Sequence, residues 1–120
     1  MDRHALGLAG ERAAEAELAR SGMRVVARNQ RTRFGEIDLV CRDREGYVFV
    51  EVKTRSAGSF VAAAEAVDRR KLGRLARLAA GWLAMRGERD ARWRVVVAAL
   101  TVGVDGTRVE LIEEIGRAHV

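Results

Sequence analysis

The chain has 120 residues, 48% hydrophobic and 32% charged, a composition that fits one globular domain with its own core and argues against disorder. Its formal charge is +5, from 22 Lys and Arg against 17 Asp and Glu, which favours a polyanionic partner, nucleic acid above all. No apolar run approaches the roughly 18–20 residues of a membrane span, the opening Met-Asp-Arg-His-Ala lacks a secretory apolar segment, and the lone Cys41 supplies neither an internal disulfide nor a zinc site, so no membrane association and a cytoplasmic setting are expected.

Residues 2–21 are rich in the helix formers Ala, Leu, Glu and Arg, with Asp2 as N-cap and Gly22 as the stop. Residues 23–27 read as a short strand around Val25-Val26, and 29–34 as a polar, basic loop. Two strands follow, 36–42 and 47–54, joined by Asp43-Arg44-Glu45-Gly46, which has turn chemistry at both ends. After a small-residue loop at 56–59, a long helix runs from about 62 to 85 with Val67, Leu75, Leu78 and Trp82 on one stripe. Residues 95–102 form a continuous apolar strand, so an interior one. Asp105-Gly106 turns the chain into a last strand, 108–112, and the tail from about 113 is left unassigned. The expectation is a single α/β domain over 1–120, a five-stranded mixed sheet flanked by helices.

The strand pair carries the chemistry. Side chains alternate faces, so Glu36 and Asp38 share one face and Ile37 and Leu39 the other; on the second strand Phe49, Glu51 and Lys53 oppose Val48, Val50 and Val52. With a two-residue tip between Asp43 and Gly46, Asp38 lies across from Glu51 and Glu36 from Lys53; a bulge at Gly46 would shift this by one. Opposed carboxylates on a largely buried sheet repel one another, and a divalent cation with a taste for hard oxygen ligands, Mg²⁺, relieves that conflict. Lys53 would reach the same water or phosphate. The competing structural reading has Lys53 paired with Glu36, and Glu51 with an arginine, as solvated ion pairs.

Glu36-Ile-Asp38 followed thirteen residues later by Glu51-Val-Lys53 resembles the PD-(D/E)xK nuclease signature of restriction enzymes and archaeal Holliday-junction resolvases. Gly10-Glu11, Asn29, Gly35-Glu-Ile-Asp-Leu-Val40, Phe49-Val-Glu-Val-Lys-Thr-Arg55 and Glu65-Ala-Val-Asp-Arg-Arg-Lys71, in that order, are similar to the YraN family, uncharacterised protein family 0102, within that superfamily. The resemblance implies a restriction-endonuclease-like fold and a Mg²⁺-dependent endonuclease, with Mn²⁺ as substitute, acting on DNA, branched DNA included. The alternative is a nucleic-acid-binding module of the same fold with little or no turnover. By the same resemblance, Asp38 and Glu51 are metal ligands, Lys53 is the catalytic lysine and Glu11 completes the site. The Val52 carbonyl is a further candidate ligand, and Glu36 supports the site from behind. Relatives act as dimers, which leaves a homodimer open. Two stretches depart from the pattern: Arg92-Trp93-Arg94 stands where Arg-Phe-Asp is common, and Phe60-Val61-Ala62-Ala63 lacks the usual Gly and Pro.

The remaining basic residues sort by position. Arg31, Arg33 and Arg55 sit near the ends of the hairpin and are candidates for phosphate contacts. Arg70, Arg74 and Arg77 form a helical stripe, either a solvated face or a backbone-binding one; of these Arg74 is kept as a nucleic-acid candidate. Lys71 shares the apolar side with Leu75 and Leu78 and could approach the site. Trp82 is expected in the core rather than on a base. His4 and His119 are too near the termini to be useful ligands, and the chain has no P-loop and no Cys/His zinc spacing.

Overall fold

The computed structural model describes residues 3–56 and 69–114. In chain order these form α1 (Arg3–Arg20), β1 (Arg24–Thr32), β2 (Gly35–Asp43), β3 (Gly46–Ser56), α2 (Arg69–Met85), β4 (Trp93–Gly103) and β5 (Gly106–Glu114). The proposed N-cap at Asp2, the start of the second helix at 62 and residues 115–120 of the tail lie outside the described residues. The strands make one mixed sheet in the order β1-β2-β3-β4-β5. All neighbours are antiparallel except β3 and β4, which run parallel and are joined through α2, as a parallel connection requires.

The expected α/β architecture is therefore present, with one helix on each face. On one face Ala14 and Leu18 of α1 pack on Leu39, Cys41, Val48, Val50, Val96, Ala98 and Leu100. On the other, Leu75, Leu78, Ala79, Trp82 and Leu83 of α2 pack on Ile37, Val40, Tyr47, Phe49 and Val95. Both faces of β3 and β4 are thus covered, which is why Val48-Phe49-Val50 and Val95–Leu100 read as unbroken apolar runs. Cys41 belongs to this core: burial pushes its thiol up to about 12, so it stays neutral. Trp82 is buried as expected, edge-on to Tyr47 and Phe49, and its Nε1–H donates to Gln30 Oε1 at 3.1 Å.

β1 is longer than the sequence suggests. The polar stretch at 29–32 continues the strand instead of looping, because its backbone is paired to β2 as far as Thr32↔Gly35 while its other edge is open to water. Only Arg33 and Phe34 are left as the tip. The β2–β3 turn is as read: Asp43 pairs with Gly46, and Asp43 Oδ1 accepts the Glu45 N–H at 2.8 Å. Gly46 sits at φ 130°, and a Cβ there would lie 2.3 Å from the Arg92 carbonyl oxygen, which accepts the Tyr47 N–H at 2.9 Å. Gly46→Ala is expected to destabilise the fold by about 3 kcal/mol or more, read as a lower urea midpoint at unchanged slope. An unchanged midpoint would mean that the turn relaxes freely.

Arg94, the basic residue at a commonly acidic position, has a structural task. Its Nη2 donates to Asp43 Oδ2 at 2.8 Å and its Nε to Glu113, tying β4 to the β2–β3 turn and to β5. The guanidinium holds the Asp43 carboxyl below its ordinary range. This network lies at the turn end of β2 and β3, away from Asp38 and Glu51.

Candidate active site

The face alternation expected on β2 holds only up to Asp38. Leu39 belongs to the cluster under α1, whereas Ile37 belongs to the cluster under α2, although both are odd-numbered. The same reversal occurs on β1: Arg28 reaches Glu15 of α1 at 2.7 Å, while Gln30 reaches Trp82 of α2. Arg28↔Leu39 and Gln30↔Ile37 are paired, so the reversal falls at Asn29 and Asp38 in both strands. Asn29 accommodates it with φ 47°, the only positive φ of a non-glycine among the described residues. Asparagine is among the few non-glycine residues that enter this region readily.

The β2–β3 ladder stops at the same place. Its pairs run from Asp43↔Gly46 to Leu39↔Val50 in the expected register, then the strands part. In the gap, Asp38 Oδ2 accepts the Val52 N–H at 2.7 Å, so a carboxylate replaces the missing ladder acceptor. Residue-wise, N–H and C=O of an extended strand point to the same side, which turns the Val52 carbonyl towards this gap too. The expected opposition of Glu36 and Lys53 is not formed. Glu36 pairs instead with Arg31 of β1, Nε to Oε2 at 3.4 Å, because the opening at Asp38 releases the start of β2 from β3.

Glu51 and Lys53 share the α2 face of β3 with Phe49, as alternation predicts. The Lys53 Nζ lies 3.2 Å from Glu51 Oε1, and the two side chains are only 33% and 14% exposed. In place of the competing ion pairs, the described residues show Lys53 and Glu51 paired with each other. Burial raises the Asp38 carboxyl above its ordinary range; the Val52 N–H opposes this, and the charges of Glu51, Glu36 and Glu11 add to the rise. The other three carboxylates named from the sequence thus all act on Asp38. Glu11 gets there because α1 approaches closely at Gly10, where a Cβ would lie 3.0 Å from Thr54 Oγ1 and 3.3 Å from Leu100 Cδ2.

Among the described residues no three acidic, imidazole or thiol side chains cluster tightly enough to hold a metal ion by themselves. The donor set is still suited to Mg²⁺, which takes one or two carboxylates and keeps several waters. Asp38 and Glu51 with the Val52 carbonyl make such a set of hard oxygens, and the mutual repulsion recorded at Asp38 is what a cation relieves.

The basic candidates divide. Arg55 continues the Glu51–Lys53 face beside Thr101, with Nε 3.5 Å from its hydroxyl, and its Nη1 is buried with no hydrogen-bond partner among the described residues. Arg31 near the end of β1 and Arg33 in the β1–β2 tip are both exposed. Arg74 is exposed on α2. The Lys71 side chain, expected to approach the site, lies outside the described residues. The reversal at Asn29 was not read from the sequence; its one local signal is the asparagine itself, which tolerates positive φ.

The sequence model described as "Uncharacterised protein family UPF0102" matches residues 10–102. The chain belongs to this family. A UPF0102 protein of Beutenbergia cavernae is 49% identical over 118 residues, covering 95% of this chain and 98% of its own length. That of Mycolicibacterium smegmatis is 45% identical over 111 residues, covering 91% and 84%. The Frankia alni protein is 54% identical over 82 residues, 68% of each chain. Among solved structures, that of Pyrococcus furiosus SfsA in complex with Ca²⁺ aligns with a TM-score of 0.45 at 17% identity; it takes in 97% of this chain, which spans 64% of SfsA. No helix of the described residues is long and apolar enough to cross a membrane.

Proposed function

We propose that this member of the UPF0102 family is a cytoplasmic, Mg²⁺-dependent phosphodiesterase that cuts DNA, with Asp38, Glu51 and Lys53 as its working groups. The observation that carries this reading is the opening of the sheet at Asp38. Two strands part where carboxylates gather, and on the adjoining face stand an ammonium and a buried guanidinium nitrogen with no hydrogen-bond partner among the described residues. A structural sheet gains nothing from breaking its ladder to collect like charges.

Asp38, Glu51 and the Val52 carbonyl would hold the cation. When bound it would supply Lewis acidity towards a phosphate oxygen and acidify a water. The Val52 N–H fixes one oxygen of Asp38, which leaves the other for binding. Lys53, kept in place by Glu51, positions its ammonium beside the nucleophilic water and the scissile phosphate and stabilises the charge that develops there. Arg55, on the same face, adds a guanidinium charge that favours a neighbouring phosphate. Glu11 and Glu36 keep the local potential negative, which strengthens cation capture.

Titration with Mn²⁺ tests the assignment: Glu51→Gln is expected to weaken binding strongly, and equal binding by wild type and variant would contradict it. DNA affinity should also fall steeply with salt. Neutralising about four phosphates gives a slope of log K on log salt near −3.6 on a duplex; a flat dependence would contradict an electrostatic interface.

One observation favours the alternative of a binding module without turnover. The catalytic groups already have internal partners, Lys53 with Glu51 and Asp38 with the Val52 N–H. Binding of DNA with no cleavage under any divalent cation would establish that alternative.

A further inference from the structure

A cleft of about 680 Å³ opens between the β1–β2 tip and the C-terminal half of α2. Its size suits a few small groups and is far below what a double helix would need. The wall from the tip carries Arg31, Arg33 and Phe34; the opposite wall carries Arg77, Trp82 and Met85, with Arg86 beside them. Four arginines line it, and no carboxylate does among the described residues.

Two large apolar side chains stand open here. Phe34 is 68% exposed and Met85 90%, so a flat aromatic ring on one wall and a flexible thioether on the other face water across a cationic cleft. Arginine already lies against aromatic rings on each wall, with the Arg33 Cζ 5.1 Å from the Phe34 ring centre and the Arg86 Cζ 4.4 Å from that of Trp82. An exposed aromatic ring flanked by arginines, as at Phe34, is how proteins hold unpaired nucleotides: a base stacks and phosphates take the cations. The cleft shares no lining residue with the site already described but is linked to it through Arg31. Arg31 lines the cleft and contacts Glu36, which lies two positions from Asp38, about 6.6 Å along the strand.

We infer that this cleft binds an unpaired nucleic-acid strand, with a base stacked on Phe34 and the phosphates on the arginines, and delivers that strand to the Asp38 site. Delivery for cleavage rests on the proposed phosphodiesterase function; binding does not. A second copy of the chain would bury the same apolar groups but would bring four more arginines to four, an unfavourable match. A free nucleotide shares the chemistry of base and phosphate, but would engage few of the arginines at once.

The test is fluorescence anisotropy in EDTA, where metal-dependent cleavage is off, with a labelled single strand of about 15 nucleotides and a blunt duplex of equal length. Wild type is expected to bind the single strand more tightly than the duplex. Phe34→Ala should weaken single-strand binding about tenfold, within the range of one lost base stack, and change duplex binding less than about twofold. Phe34→Trp should keep the preference. Phe34 stands exposed at a turn, so the fold should survive, and a circular dichroism melt checks this. Equal losses on both polymers, or no loss, would overturn the inference. So would mononucleotide competing at the same concentration as the strand, or sedimentation showing a wild-type dimer that Phe34→Ala converts to monomer. A protein that shows the Phe34-dependent preference but never cleaves with Mg²⁺ keeps the cleft and loses the phosphodiesterase reading.

Discussion

Replacing Lys53 with alanine is expected to lower the rate of DNA cleavage about a hundredfold or more, while metal binding and most of the DNA affinity persist. The ammonium stands on the Glu51 face, 3.2 Å from that carboxylate, and is no ligand to a cation itself. Its removal takes away charge stabilisation that is worth most in the transition state, which lowers kcat rather than binding. One phosphate contact among several contributes little to affinity by comparison. Lys53→Arg should not restore the rate, since a planar guanidinium is bulkier and places its charge differently. Single-turnover cleavage, with Mn²⁺ titration of the same samples, separates the two effects. A Lys53→Ala protein cutting at the wild-type rate would remove Lys53 from the mechanism.

Asp38→Asn is expected to act in opposite directions with and without metal. Asp38 carries a raised pKa, chiefly from burial and secondly through its acidic neighbours against the Val52 hydrogen bond. A carboxyl raised in the fold stabilises the protein when protonated, below its ordinary value. That contribution is lost as pH rises through the raised value. At a pH above that raised value and without metal, the wild type bears a half-buried charge that the amide lacks, and the variant should melt at the same temperature or higher. The amide oxygen can still accept the Val52 N–H. With Mn²⁺ at about a hundred times the wild-type Kd, the wild type gains about 2.7 kcal/mol by linkage and the variant gains little, so the order reverses. Metal affinity should likewise weaken as pH falls through the raised Asp38 value, because protons and cation compete for one carboxylate. Melting curves in EDTA and in Mn²⁺ test this; parallel shifts in both proteins would mean that the cation binds elsewhere.

Much of this arrangement was legible in the sequence because its signals are local. The period-two pattern of Tyr47–Lys53 fixed which side chains face α2, and Asp43 with Gly46 fixed the turn and hence the register from Leu39 to Asp43. The apolar run at 95–102 marked an interior strand. What was not legible depends on tertiary placement. The polar residues of β1 carry no strand pattern; their pairing to β2 makes them a strand. The face reversal at Asn29 and Asp38 needs two strands to depart from regularity at the same level, which no single-strand periodicity reveals. Glu36 changed partner for the same reason, and Arg94, which read as a departure from the family pattern, is explained only by the bond it makes to Asp43 fifty-one positions earlier.

The most direct measurement is cleavage by the purified protein, with Mg²⁺ or Mn²⁺, of a panel of linear duplex, single-stranded, flapped and four-way DNA. The account predicts cuts on at least one member of the panel. The cuts should vanish in EDTA and in Asp38→Asn, and fall about a hundredfold in Lys53→Ala. Intact DNA throughout, or cleavage that survives both EDTA and the loss of Asp38, would contradict it.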